Sequence, residues 1–398
     1  MANSITALSP TLWSRIMGRK QYKETVFRAF ASFEEQKTLS MGQKVDRPYR
    51  SNVVVENYTK GTAATAQDLT ATSDLLTVDK FKTILMYIDD VDKIQNKYDA
   101  AKTWAEEAGK RLSIATDAEV LYEVVNAGNT LEDDDFGGTD GQPVTVTTSN
   151  ISNIFAKVNR KLDTQNADME RKKRFMVISP QMFDVLWQYI AGKETLLGDK
   201  TGEFGNLGRW GGLELYMSNN LTASAIWTPA NNPSDEDTIT ISGVTFTFQS
   251  VIGTTAGNVL QTVDTATTID NLVTLINAPS TSTATGIAFT GSDLRIVQNM
   301  VAVDGTTFVT VYHKGQSFLT VTGSEAADVW SKKTQHVLAG VKGAIDVVVQ
   351  KEPDVEMAST VSQGKRGMNV MPMTVFGVKT FNQGANELVN LKIASSAF

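Results

Sequence analysis

Histidine and cysteine, the usual residues for acid–base and thiolate chemistry near neutral pH, are nearly missing from this sequence. Among 398 residues there is no cysteine, and there are two histidines, His313 and His336. Disulfides and thiolate metal sites are therefore excluded, and a serine triad would have to use one of those two imidazoles. His313 falls in a strand-like run, and His336 opens a stretch, 336–349, that reads as a helix running into a strand. No nucleophile elbow, Walker loop, HExxH or dinucleotide fingerprint accompanies them. Glu132-Asp133-Asp134-Asp135 lies among glycines in 131–143 but lacks the alternating ligands and late glutamate of an EF-hand, so it reads as a solvated turn. Arg171-Lys172-Lys173-Arg174 has no interleaved aromatics and reads as a solvated face rather than a nucleic-acid patch. The glycine-rich run 205–212 leads into a strand, whereas phosphate loops lead into a helix, so it reads as a turn. Paired carboxylates such as Asp89-Asp90 are explained by the field at a helix start. These residues give no catalytic, cofactor-binding or metal site, and no enzyme is expected.

With the chemistry so sparse, the long elements carry the reading. Apolar or small residues at Val91, Ile94, Tyr98, Ala101, Ala105, Ala108, Leu112 and Ala115 keep a 3-4-3-4 spacing. That spacing predicts one helix over 90–128, uninterrupted or gently bent, whose mostly alanine face lets something pack close. A start at Thr116-Asp117-Ala118-Glu119, a usable capping box, is the alternative. Before it, Tyr22, Val26, Phe27, Phe30 and Phe33 predict a short amphipathic helix, either docked on another part of the molecule or another copy or packed in the local core. Residues 49–89 read as a long hairpin, with Val53-Val54-Val55 as one strand and a small, polar tip, and such a ribbon is marginal alone. A helix after Ser149-Asn150, a strand at 175–178 and a helix opening at Ser179-Pro180 follow.

Segment 228–330 differs in charge and composition. It holds nine acidic residues against Arg295 and Lys314, which accounts for the whole net charge of −7. The pattern predicts a separate β-rich module with a hairpin turning at Ser242-Gly243, a helix over 267–278, and strands at 286–289, 294–297 and 308–312. No run is long and apolar enough for a membrane span, and Met1 to Ile5 shows no secretion signal.

The order of parts carries a resemblance. Gly208-Arg209-Trp210-Gly211-Gly212-Leu213-Glu214-Leu215-Tyr216-Met217-Ser218-Asn219-Asn220-Leu221, then Ala339-Gly340-Val341-Lys342-Gly343-Ala344-Ile345, read as a helix, then Phe376-Gly377-Val378-Lys379, resembles the major capsid protein of tailed bacteriophages. The resemblance covers about 1–227 and 331–398 and implies an α+β fold of the Hong Kong 97 type. It implies an N-terminal arm (1–48), an E-loop hairpin (49–89), a peripheral domain with a spine helix (90–170 and 353–398) and an axial domain (171–227 and 331–352). Segment 228–330 would be an inserted β-rich domain, independently folded and facing outward. The implied function is self-assembly into hexamers and pentamers of an icosahedral head around double-stranded DNA, bound non-specifically. A scaffolding protein, a portal and a decoration protein are implied partners, with no cofactor and no membrane. The location implied is the virion, after assembly in the host cytoplasm. Arm and hairpin would then be surfaces for neighbouring copies. Some relatives cross-link an E-loop lysine to a neighbour's asparagine; Lys80 and Lys82 are the nearby lysines, without an identifiable partner. The alternative is a β-rich tail or carbohydrate-binding protein that acts through 228–330.

Overall fold

The computed structural model describes residues 22–23, 25–39, 42–50, 53–63, 65–91, 100–193, 208–325, 329–360 and 364–395, and the fold is α+β. Strand β1 (Lys44–Arg50) pairs antiparallel with β2 (Ala71–Thr77), and β3 (Lys80–Thr83) and β4 (Met86–Asp89) follow. Helix α1 (Ala100–Tyr122) runs into a 3-10 turn at Glu123–Asn126. Next come β5 (Asn129–Leu131), α2 (Ile151–Thr164), β6 (Arg174–Ile178) and α3 (Pro180–Ala191). A hairpin of β7 (Arg209–Trp210) and β8 (Leu213–Met217) leads to β9 (Thr222–Thr228). The acidic segment supplies β10 (Thr238–Ile241), β11 (Val244–Gln249), β12 (Asn258–Leu260), α4 (Thr265–Asn277), α5 (Gly291–Val297), β13 (Met300–Asp304), β14 (Val309–His313) and β15 (Val321–Gly323). The chain closes with β16 (Val329–Val341), β17 (Ile345–Ser359), β18 (Gly367–Thr380), α6 (Asn382–Asn386) and β19 (Leu388–Ala394).

The largest sheet among the described residues runs β13-β14-β9-β16-β6-β8-β7, with β19 also on β16 and β5 beyond it. Its centre is apolar on both faces, as Phe175 to Ile178 and Val337 to Ala339 show. Ile154, Phe155, Val158 and Leu162 of α2 and Met182, Leu186 and Ile190 of α3 join that core. Ser179 Oγ caps α3 by accepting from Met182 N at 3.2 Å, and Pro180 supplies the preset first turn. A second sheet pairs β17 with β18 and adds β3 and β4 to β18. Helix α1 lies on it, where Ala105 meets Ile88 and Val370; Ala108 is also buried. From Ala105 through Ala108 to Leu112 the face is buried as the spacing predicts, because small side chains let the strand backbone approach, whereas Val91, expected on the same stripe, is exposed.

Several expectations are corrected. Helix α1 is continuous through Thr116–Glu119, so no second helix starts there; residues 92–99, with Ile94 and Tyr98, lie outside the described residues. Residues 336–341, expected as a helix, are the end of β16. Strands β6, β9 and β19 flank this apolar run and satisfy its backbone, so pairing decides the conformation where periodicity could not. A Cβ on Gly340 would lie 2.6 Å from the Glu387 carbonyl oxygen, so close strand packing explains that glycine. Residues 294–297 are helical, in α5, and 286–289 make one bridge, Val259 to Gly286, in place of a strand. Val53-Val54-Val55 forms no strand. The aromatic segment makes a short 3-10 turn, Phe27–Ala29, in place of an amphipathic helix.

In the acidic segment, β10 and β11 join through Ser242 and Gly243 at φ of 50° and 84°, the backbone that a tight hairpin turn requires. Its small sheet, β12-β11-β10-β15, packs with α4. The core continues across residue 228: Ala223, Ala225 and Trp227 of β9 belong to the same apolar cluster as Phe246, Phe248 and Leu272. Strand β14 pairs with β9, so β13 and β14 extend the main sheet.

Candidate assembly interface

The residues that stand out are apolar side chains left largely exposed among the described residues. Between β1 and β2 the chain carries Val53, Val54, Val55, Tyr58 and Leu69, and Val55 is 94% exposed. Beyond β2, Phe81, Leu85 and Tyr87 are exposed on the far face of the β3–β4 edge, and Met371 of β18 is exposed too. So many large apolar side chains exposed along one excursion of the chain suit an interaction surface.

The ribbon is fixed at its base. Leu76 and Val78 are buried with Leu39, Val348 and Phe381. Arg47 stacks 4.0 Å from the Phe381 ring centroid and reaches Glu35 at 2.7 Å and Asp346 at 3.0 Å. Lys82 pairs with Glu119 at 2.9 Å, and Glu119 also holds Lys314 at 2.8 Å. Burial pushes the Glu119 carboxyl up, but Lys314 and Lys82 outweigh it and hold it below its ordinary value. One buried carboxylate on α1 thus joins the ribbon to the acidic segment. Out along the ribbon, the Gln67 side chain accepts from Val54 N at 2.9 Å and ties its two limbs together.

The aromatic arm belongs to its own subunit. Phe27 and Phe30 are buried, and Phe30 stacks on Phe175 with centroids 4.4 Å apart. Asp117 of α1 accepts from Val26 N and Phe27 N, both at 2.9 Å, and from Asn220 Nδ2 at 2.9 Å. Burial raises the Asp117 carboxyl even against these donors. Asp117 and Glu119 were legible only as a capping box; their burial depends on segments distant in sequence.

The other clusters resolve into structure. His336 has Ser224 Oγ 2.9 Å from Nε2 and Asn390 Oδ1 3.0 Å from Nδ1, the order of a nucleophile–base–orienter set. All three side chains are buried on the adjacent strands β9, β16 and β19, and burial pushes His336 down to about 4. A neutral imidazole sealed between strands packs a sheet; it has no place for a substrate. His313 is likewise buried and lowered to about 4 by burial. In the basic cluster, Arg174 is a core residue bonded to Asn159, Asp163 and Ala167, not part of a solvated face, while Arg171 pairs with Asp163 at 2.6 Å. Gly211 and Gly212 turn β7 back to β8 at positive φ, and residues 205–207 of that run lie outside the described residues. Carboxylates of Glu132, Asp134 and Asp140 lie within 4.8 Å of one another, with Glu132 also paired to Lys392. Lys80 pairs with Asp79 at 3.3 Å. Among the described residues no helix is long and apolar enough to cross a membrane.

No protein-family model and no curated protein matches the sequence. Solved structures do. The capsid structure of cyanophage P-SCSP1u superposes with a TM-score of 0.54 at 13% identity, covering 100% of this chain and 96% of that one. The mature capsid of bacteriophage PhiM1 gives 0.51 at 10% identity, covering 97% and 92%. The fold is that of phage capsid subunits. A structure from Mycobacterium phage Che8 is also similar, with a TM-score of 0.59 at 16% identity over 97% of this chain and 98% of that one. At such identities the likeness concerns the path of the chain, and it runs nearly end to end.

Proposed function

We propose that this chain is the major capsid protein of a tailed phage, assembling into hexamers and pentamers of an icosahedral head around double-stranded DNA. The observation that carries the reading is the uncovered apolar ribbon, set in a fold that matches phage capsids over nearly its whole length. A closed shell repeats one set of heterologous contacts, and an extended ribbon is suited to reach a neighbouring copy. In this reading the fold is of the Hong Kong 97 type: arm 1–48, E-loop 49–89, peripheral domain 90–170 and 353–398, axial domain 171–227 and 331–352. Segment 228–330 is an inserted domain on the outer face, where its acidic surface stays away from packaged phosphates. The role is structural rather than enzymatic, in the virion after assembly in host cytoplasm, with a scaffolding protein, portal and decoration protein as partners.

Electron microscopy of the purified protein, alone and with its scaffold, tests the reading. Capsomers or shells are expected; a monomer at high concentration in both conditions would reject it. Proteolysis of intact particles tests the insertion: cleavage within 228–330 is expected, and resistance there would place the segment inside.

A further inference from the structure

A cleft of about 460 Å³ opens where Lys23 of the arm, the middle of α1 and the end of β14 meet. Its lining holds the cations Lys23, Arg111 and Lys314 and the amides Asn220, Asn299 and Gln316; among the described residues no aspartate or glutamate lines it, while Asp117, Glu119 and Glu107 stand behind its cations. The scaffold behind it is well fixed. Lys314 N donates to the Asn299 carbonyl at 2.9 Å and closes the β13–β14 hairpin. Asn220 Nδ2 donates to the Ile114 carbonyl at 2.8 Å, and Lys23 Nζ donates to the Gly315 carbonyl. Lys314 is bound to Glu119, whereas Arg111 is largely exposed and meets Glu107 only at 3.5 Å. His313 also lines the cleft and is 3% exposed; its Nδ1 lies 3.0 Å from the Lys314 carbonyl, and its Nε2 has no partner among the described residues. The carbonyl fixes the proton on Nδ1, so Nε2 is an acceptor facing no donor.

We propose that this cleft binds a small, multiply charged oxyanion of the phosphate class, such as pyrophosphate. Lys23, Arg111 and Lys314 bring three positive charges to one concave site; Glu119 and Glu107 offset part of that charge from behind, Lys82 shares Glu119, and the cations that line the cleft are the groups a polyanion would meet. Guanidinium and ammonium groups make short, charge-assisted bonds to its oxygens. The volume is ample for two linked phosphates. A bound anion would tie the arm, the spine helix and the acidic segment at one point. The proposal stands on the cleft alone and does not depend on the shell reading.

Calorimetric titration of the full-length protein with pyrophosphate, at ionic strength held constant with sodium chloride, tests it. Saturable binding is expected, weakened about tenfold or more in Arg111→Ala, since one charge-assisted contact is lost. Lys172→Ala, remote from the cleft, should bind as the unmodified protein does. Arg111 is exposed, so its variant should keep the melting temperature of the parent without ligand. No saturable binding, or an Arg111→Ala affinity reduced by less than about tenfold, overturns the proposal. So does equal weakening in Lys172→Ala, which would indicate diffuse charge attraction.

Discussion

The ribbon and the acidic segment are both β excursions from one framework, and they treat apolar residues in opposite ways. In β10 and β11 the side chains Ile239, Ile241, Val244, Phe246 and Phe248 all point inward and are buried under α4. In the ribbon, Val53, Val55, Tyr58 and Leu69 point into solvent. The acidic segment brings its own cover, and it anchors two strands in the main sheet. The ribbon brings none and is held only at its base. A β excursion that carries a covering helix is finished within the subunit; one that does not is half of a contact.

That contrast can be broken first at Trp227, a fully buried side chain stacked 5.7 Å from Phe248 at the joint between β9 and the acidic segment. Trp227→Ala should cost about 3–5 kcal/mol, since it opens a large cavity in a shared core. Urea unfolding monitored by circular dichroism measures it. A loss below about 1 kcal/mol would mean that the segment folds without its joint to the sheet.

The next effect is one of pH. Burial holds His336 near 4 in the folded chain, while a free imidazole titrates near 6.5. The unfolded chain therefore takes up the proton first as pH falls. Stability from this site is intact above about 6.5 and declines toward pH 4, by at most about 3 kcal/mol. Urea midpoints between pH 7.5 and 4.5 should show the decline, and His336→Gln should reduce it without abolishing it, because His313, also lowered to about 4, titrates in the same window. An unchanged slope in that variant would place the titration elsewhere.

What was legible in the sequence follows the same division. The alanine stripe of α1, the Ser179-Pro180 start of α3 and the Ser242-Gly243 turn are local signals, and the structure bears each of them out. Residues 336–341 were not legible as a strand, because a short apolar run suits a buried helix or a buried strand equally until its neighbours are known. Arg174 looked like part of a charged surface, and only the fold brings Asn159, Asp163 and Ala167 around it. The exposed ribbon was legible as an orphan hairpin, but its strand content was overestimated: β-branched residues at 53–55 favour strands only where a partner completes the pairing.

A smaller effect tests the close side of the spine. Ala108 is 3% exposed on the face of α1 toward the β17–β18 sheet. Ala108→Phe should overpack that contact and cost about 1–3 kcal/mol, read as a lowered melting temperature. A normal melting temperature would mean that the helix can shift away from the sheet.

The smallest effect on stability belongs to the ribbon, and it is the most informative about function. Val55 and Tyr58 are exposed at 94% and 73%. Replacing both with serine removes little surface buried among the described residues, so the unfolding free energy should change by less than about 0.5 kcal/mol. If the ribbon's apolar side chains are covered by another copy, the same change should abolish capsomer formation in sedimentation velocity while the melting temperature stays put. A drop of more than about 1 kcal/mol would show that these residues are already covered within the chain. Particles at the unmodified yield would show that no partner covers them, and the distinction between a finished excursion and half of a contact would fail. The acidic segment provides the control: Phe246→Ser, with the same loss of apolar surface in a buried position, should unfold the subunit before assembly can be asked about.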